Sequence, residues 1–291
     1  FASFAPIPLS WKPGSSPDYI RRRPSKEGKE LKALVIHDPP LPGPLNMAVD
    51  ACLAAMAGSG EIDLALRTYT WEPHTVSLGR LQRGCGDLDA EKLRRDGFGL
   101  VRRPTGGRAV WHGRELTYSV AASSRHPLYT GGIRDSLGTV ASMLVTALGG
   151  LGVPAAANPS APGGGFGRGP CFTTHGALEI MTGDGRKLVG SAQARTRDSF
   201  LEHGSILFDN DQPKILDYTL GMTPDLAEAM RKRLAEGAGT VREFLPGADP
   251  DDLVPLIRDA FARWCGWSGV PTDHTCLDRR LLDSLAEGFA L

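Results

Sequence analysis

The 291 residues, 41% of them hydrophobic and 23% charged, suffice to bury a sizeable core, so no disulfide framework is needed to hold the fold. Lysine plus arginine and aspartate plus glutamate both number 33, which excludes the basic footprint of a protein that binds nucleic acid or an anionic membrane. Five widely spaced cysteines without a C-x-x-C pair exclude the spacing of a structural zinc site and point to a reducing, cytoplasmic setting.

Residues 1–33 carry several prolines, the run Arg21-Arg22-Arg23 and a charged stretch over 26–32, so they are expected to form a flexible arm. Residues 1–10 lack the basic-then-apolar order of a secretory signal, and no apolar run approaches the ~18 residues of a membrane span. From Leu45 the segment LNMAVDACLAAMA repeats apolar residues at helical spacing until Gly58 and Gly60, which predicts a buried helix. LALRTYTW, HTVSLGR, GLVRRP, AVWH and LTYSVAA then alternate with Gly, Pro and Asp, the pattern of a mixed sheet with hairpins. Residues 133–151 return to helical spacing, and 158–169 read as a glycine-rich loop. LEIM and RKLVGSAQAR flank Gly183-Asp184-Gly185 as a hairpin, and HGSILF adds a strand. Helical spacing then recurs at 226–234, 253–264 and 277–291.

Three features carry chemistry. In Arg102-Arg103-Pro104-Thr105-Gly106-Gly107-Arg108-Ala109-Val110-Trp111-His112, paired glycines after a strand let backbone N–H groups approach an anion or a carbonyl, with three arginines beside the turn. The same residues also fit an ordinary hairpin turn with solvated arginines. Lys187 stands in a strand of otherwise small and apolar residues, as either an exposed strand lysine or a cation beside a thiol or a carbonyl. Cys171 follows the glycine-rich loop, where a thiol is a nucleophile only if a neighbour holds it as thiolate and is otherwise inert. Cys52, Cys265 and Cys276 fit core packing and Cys85 is incidental. The seven histidines, including His112, His175 and His203 near these features, show no metal-ligand spacing, so no metal is expected.

Taken in order, LNMAVD (45–50), SLGRLQ (77–82), RRPTGGRAVWH (102–112), LTYSV (116–120), GRKLVGSAQAR (185–195) and HGSILFD (203–209) resemble the biotin/lipoate protein ligase superfamily. The resemblance implies an α/β (α+β) fold: a large mixed central β-sheet with flanking helices over 34–222, and a short helical C-terminal extension over 223–291. It assigns the acyl-binding tunnel to Arg103, Thr105, Gly106, Gly107, Arg108, Ala109, Val110, Trp111 and His112. Lys187 would contact the acyl carbonyl, and Gly190, Ser191, Ala192, His203, Gly204 and Ser205 would border the site. Arg108 stands where many ligases carry a third glycine.

Cys171-Phe172, about fifteen residues before Lys187, is similar to the branch of octanoyltransferases that hold the acyl group as a cysteine thioester. That branch implies octanoyl-acyl carrier protein as donor, a lipoyl domain as acceptor (glycine cleavage H protein or a 2-oxoacid dehydrogenase E2), and no cofactor. Both protein substrates would be acidic, so Arg102, Arg103 and Arg108 are expected to dock them. Two neighbouring activities fit the same motifs: an ATP-dependent lipoate ligase, which would bring ATP with Mg, and an amidotransferase between lipoyl proteins. A regulatory module that binds DNA would need a helix-turn-helix extension and a basic surplus that the chain lacks. A monomer without nucleic-acid or membrane partners is expected.

Overall fold

The computed structural model describes residues 21–24, 30–158 and 178–291. An eight-stranded sheet forms its centre, from β1 (Arg21–Pro24), β2 (Glu30–His37), β3 (Leu64–Tyr69), β7 (Glu115–Ser123), β11 (Ser199–Leu207), β10 (Lys187–Arg195), β9 (Ile180–Thr182) and β8 (Ala155–Ala157), in that spatial order. β2 and β3 pair in parallel and the remaining neighbours are antiparallel, so the sheet is mixed.

Strand periodicity explains how this sheet is covered. Successive side chains alternate between faces, and Val35, Leu66, Val120 and Phe200 join one apolar cluster with α4 (Ile133–Leu151) and α6 (Pro250–Cys265). Their chain neighbours Leu34, Ala65, Ala121 and Leu201 join a second cluster with α1 (Gly43–Ser59) and α7 (Arg279–Glu287). With both faces covered, β3, β7 and β11 are buried at every residue, polar ones included. α1 lies between the sheet and α7 and is buried nearly all round. It stops at Gly60, whose φ of 82° is the left-handed conformation that glycine adopts without a Cβ penalty.

Two expectations need correction. Residues 21–24 are not a free arm: Arg21, Arg22, Arg23 and Pro24 pair in antiparallel register with Ala33, Lys32, Leu31 and Glu30. HTVSLGR, GLVRRP and AVWH do not enter the central sheet either. β4 (Thr75–Leu78), β5 (Gly99–Arg102) and β6 (Val110–His112) form a separate three-stranded sheet in the order β5-β4-β6. Its own cluster (Val76, Leu78, Leu100, Trp111) packs on Ile215, Tyr218 and Leu234, from the 3-10 helix Gln212–Tyr218 and α5 (Pro224–Gly237). Apolar runs of three or four residues do not reveal which of two sheets they will join.

The Gly183-Asp184-Gly185 hairpin forms as the turn residues require, with Gly185 at φ 84° between β9 and β10. Among the described residues no helix is long and apolar enough to cross a membrane.

Candidate active site

Residues of both sheets line one cleft. β3 and the turn after it give Tyr69 and Trp71, β4 gives Ser77, and the turn after β5 gives Arg103 and Gly107. Val110 and His112 come from β6, Thr117 from β7, Gly190, Ser191 and Ala192 from β10, and His203, Gly204 and Ser205 from β11; Met47 of α1 completes the lining. The cleft holds about 470 Å³, counting the solvent at its mouth.

Ten residues expected from the sequence thus meet at one place. The others are set apart by simple geometry. β6 alternates, so Val110 and His112 face the cleft while Ala109 and Trp111 pack into the cluster behind it; Trp111 lies 4.9 Å from the Phe98 ring and 5.8 Å from Tyr218. Thr105 is fully buried below the turn, and Gly106 and Arg108 are half-buried beside it. Lys187 is 1% exposed, does not line the cleft, and pairs with Glu179 just before β9. Cys171, with Phe172 and His175, lies outside the described residues.

The glycine turn is braced from inside. Arg103 donates to the carbonyls of Gly106 (2.8 Å from Nη2), Arg108 (2.7 Å) and Ser77 (3.0 Å). Gly79 packs so closely that a Cβ there would sit 2.0 Å from the Gly107 carbonyl oxygen, which accounts for the glycine in SLGR. Arg102 donates to the carbonyls of Gln82 and Gly84. Arg102 and Arg103 therefore hold the rim together from within and do not form the outward docking patch expected of them.

Two histidines are anchored by carboxylates on the cleft wall. His203 Nδ1 is 3.0 Å from Asp50 Oδ2, and its Nε2 is 2.6 Å from Thr105 Oγ1. Burial pushes the His203 pKa down, against the opposing pull of Asp50. Burial of Asp50 would raise its pKa, but the hydrogen bond from His203 and the Arg67 charge outweigh that and hold it below the ordinary carboxylate value. An ionised Asp50 only accepts, so His203 carries its proton on Nδ1 and turns a lone pair toward Thr105. Arg67, itself fully buried, donates to Asp50 (2.9 Å), Asp38 (2.7 Å) and Asn46 Oδ1 (2.7 Å). His112 bonds Glu115 (2.7 Å) and Ser77 (2.7 Å) and stacks on Trp71 at 4.1 Å. Ser77 Oγ accepts from Arg103 at 3.0 Å, which leaves its own proton for His112 Nε2.

Asp50, Arg67, Ser77 and Glu115 were missed at the sequence level. A signal for Asp50 exists: it is an acid inside an otherwise apolar buried helix, and a buried charge demands a partner. The thiols of Cys52 and Cys265 are excluded as nucleophiles, because burial pushes them up to about 12 and about 11.

At Gly204 the wall leaves no room for a side chain. An added Cβ would lie 2.6 Å from the Gly190 carbonyl oxygen and 2.8 Å from the Tyr118 ring. Gly204→Ala is expected to cost about 1–3 kcal/mol through forced separation of β10 from β11, read as a lower urea midpoint.

The family described as the lipoyl protein ligase A/B catalytic domain matches residues 42–262. The octanoyltransferase LipM of Symbiobacterium thermophilum is 40% identical over 229 residues, covering 76% of this chain and 80% of that protein. The octanoyltransferase LipM of Kyrpidia tusciae is 37% identical over 248 residues, covering 82% and 89%. Among solved structures, the bipartite lipoate protein ligase of Thermoplasma acidophilum superposes with a TM-score of 0.69 over 89% of this chain and 91% of that one, at 19% identity, which shows a shared fold. With the match spanning most of the chain and both sheets in place around the cleft, this chain belongs to the lipoyl protein ligase A/B catalytic domain family.

Proposed function

We propose that the chain is an octanoyltransferase of lipoate biosynthesis, which takes octanoyl from acyl carrier protein and delivers it to a lysine of a lipoyl domain such as the glycine cleavage H protein. The observation that carries this reading is likeness to octanoyltransferases along most of the chain, at up to 41% identity. The cleft supports it. Its apolar walls suit an alkyl chain, each buried methylene contributing about 0.8 kcal/mol.

The Cys171 thiolate attacks the donor thioester carbonyl; its new C–S bond replaces the one to the pantetheine sulfur, which leaves as a thiol after taking up a proton. The acceptor lysine, deprotonated, then attacks the Cys171 thioester, an amide forms, and the cysteine thiol is regenerated. Backbone donors of the Gly106-Gly107 turn polarise the acyl oxygen; Lys187, buried in its ion pair with Glu179, does not line the cleft and leaves that contact to them. Gly107, Val110 and His112 wall the chain on one side, and Gly190, Ser191, Ala192, His203, Gly204 and Ser205 wall it on the other. Thr105, Gly106 and Arg108 hold the turn, with Ala109 and Trp111 behind it. A cytoplasmic setting keeps the thiol reduced.

No cofactor enters this scheme, and that is its test. Mixed with octanoyl-acyl carrier protein and a lipoyl domain, without ATP, the protein is expected to octanoylate the domain and to gain one octanoyl mass itself, which hydroxylamine removes. Modification that appears only with free lipoate, ATP and Mg would replace this reading with that of a ligase.

A further inference from the structure

The loop between β4 and α2 (Ala90–Arg95) has no part in the scheme above, yet it stands at the mouth of the cleft. Its start is held on every side. The Gly79 N–H donates to Gln82 Oε1 (2.9 Å), the Gln82 N–H returns to the Gly79 carbonyl (2.9 Å), and the Arg80 N–H donates to the Thr105 carbonyl (2.8 Å). Arg102 secures the carbonyls of Gln82 and Gly84 from below. This rigid turn abuts Gly107, which is exposed and lines the cleft.

What the turn presents is unusual. Leu81 is 75% exposed, the most exposed of the large apolar residues described, and Arg80 and Arg83 on either side of it are exposed as well. Ordering a leucine into water gains nothing for the fold, whereas a preorganised apolar tip between two cations is the form of a protein-binding anchor.

The reach of the two protein substrates decides which one it meets. A carrier protein delivers its acyl group on a long flexible prosthetic arm, so its surface need not touch the cleft mouth. An acceptor lysine has only a four-carbon stem, and its domain must press against the rim for the amine to arrive. We propose that Arg80, Leu81 and Arg83 dock the acceptor domain, with Leu81 in an apolar contact and the two arginines facing acidic side chains of that domain. The arginine pair steers encounter and fixes orientation, and its contribution falls as salt rises.

This inference rests on the transferase reading, and the two reaction halves separate their failures. The variants are Leu81→Ser and the double charge reversal Arg80→Glu with Arg83→Glu. Formation of the octanoyl-enzyme from octanoyl-acyl carrier protein, followed by intact mass, is expected to keep its wild-type rate in both. KM for a lipoyl domain is expected to rise about tenfold or more, with kcat changed far less. A short lysine peptide, too small to reach the loop, is expected to be octanoylated equally by all forms, and raised salt to erase most of the gap between wild type and the charge-reversed form. An unchanged KM for the domain, or an equal loss with the peptide, overturns the docking role; absence of octanoyl-enzyme in the wild type overturns the transferase reading instead.

Discussion

Cys171→Ser is expected to form no octanoyl-enzyme and to lose roughly 10³-fold or more in octanoyl transfer, the scale of losing a nucleophile that works as a unit with its partners. A serine hydroxyl at the same place stays protonated, whereas a thiol needs only a nearby cation to become thiolate. Two other cysteines make poor substitutes: burial raises Cys52 and Cys265 far above the range in which a thiol ionises at neutral pH. The variant exchanges one sulfur for oxygen, and its urea midpoint is expected to match wild type. Stable transfer by Cys171→Ser in the absence of ATP would sink the thioester mechanism, and lost transfer accompanied by a lowered midpoint would turn the result into one about folding.

Asp50→Ala is expected to lower stability by about 3–5 kcal/mol, the cost of removing one member of a buried ion pair, and hence the melting temperature by roughly 10 °C. Asp50 is fully buried and accepts from Arg67 (2.9 Å), Tyr69 (2.8 Å), Ser119 (2.8 Å) and His203 (3.0 Å), so its loss takes one of two carboxylates from a fully buried guanidinium, which keeps Asp38, and removes the acceptor of three polar groups at once. The effect has a pH signature. The folded-state pKa of Asp50 lies below its unfolded value, so its contribution is fully present above the ordinary carboxylate range and is lost as pH falls through the folded value. Wild type and variant stabilities are therefore expected to converge toward acid. Parallel curves for wild type and Asp50→Ala down through that range would show that Asp50 is not held ionised by this network. Transfer should fall as well, since His203 and, through it, Thr105 lose their anchor.

The local elements were largely legible. The helix expected over 133–151 is α4, and the Asp-Gly turn lies between β9 and β10, because each is specified by spacing within a short window. The glycine turn and the GSA and HGS segments could be assigned to one site through the family resemblance, and the cleft gathers most of them. What stayed hidden is what long-range contact decides. Asp50 and His203 are 153 residues apart, and Arg67 reads as one more charged residue in a strand until Asp38 and Asp50 are seen around it. The role of the arginines misled for the same reason: Arg103 looks solvated beside a turn, but the carbonyls that claim it come from both sides of the turn and from β4. Lys187 likewise reads as a site cation, while its ion pair with Glu179 depends on how β9 enters the sheet.

The outer side of β2 is closed in an economical way. Residues 30–33 pair with the four residues of β1, and farther along the Val35 carbonyl accepts from the Thr272 N–H (3.0 Å) while the His37 N–H donates to the Thr272 carbonyl (2.8 Å). Two short pieces from opposite ends of the described chain thus take up hydrogen-bonding groups that a bare strand would offer to a neighbouring molecule. The last strand beyond them, Arg21-Arg22-Arg23-Pro24, is short, cationic and ends in proline, three properties that discourage edge-to-edge growth. The parallel β2–β3 pair, which cannot form until the chain has looped through α1, thereby meets a guarded margin, and the aggregation hazard of a long apolar strand is contained by its sequence neighbours and by the C-terminal segment together.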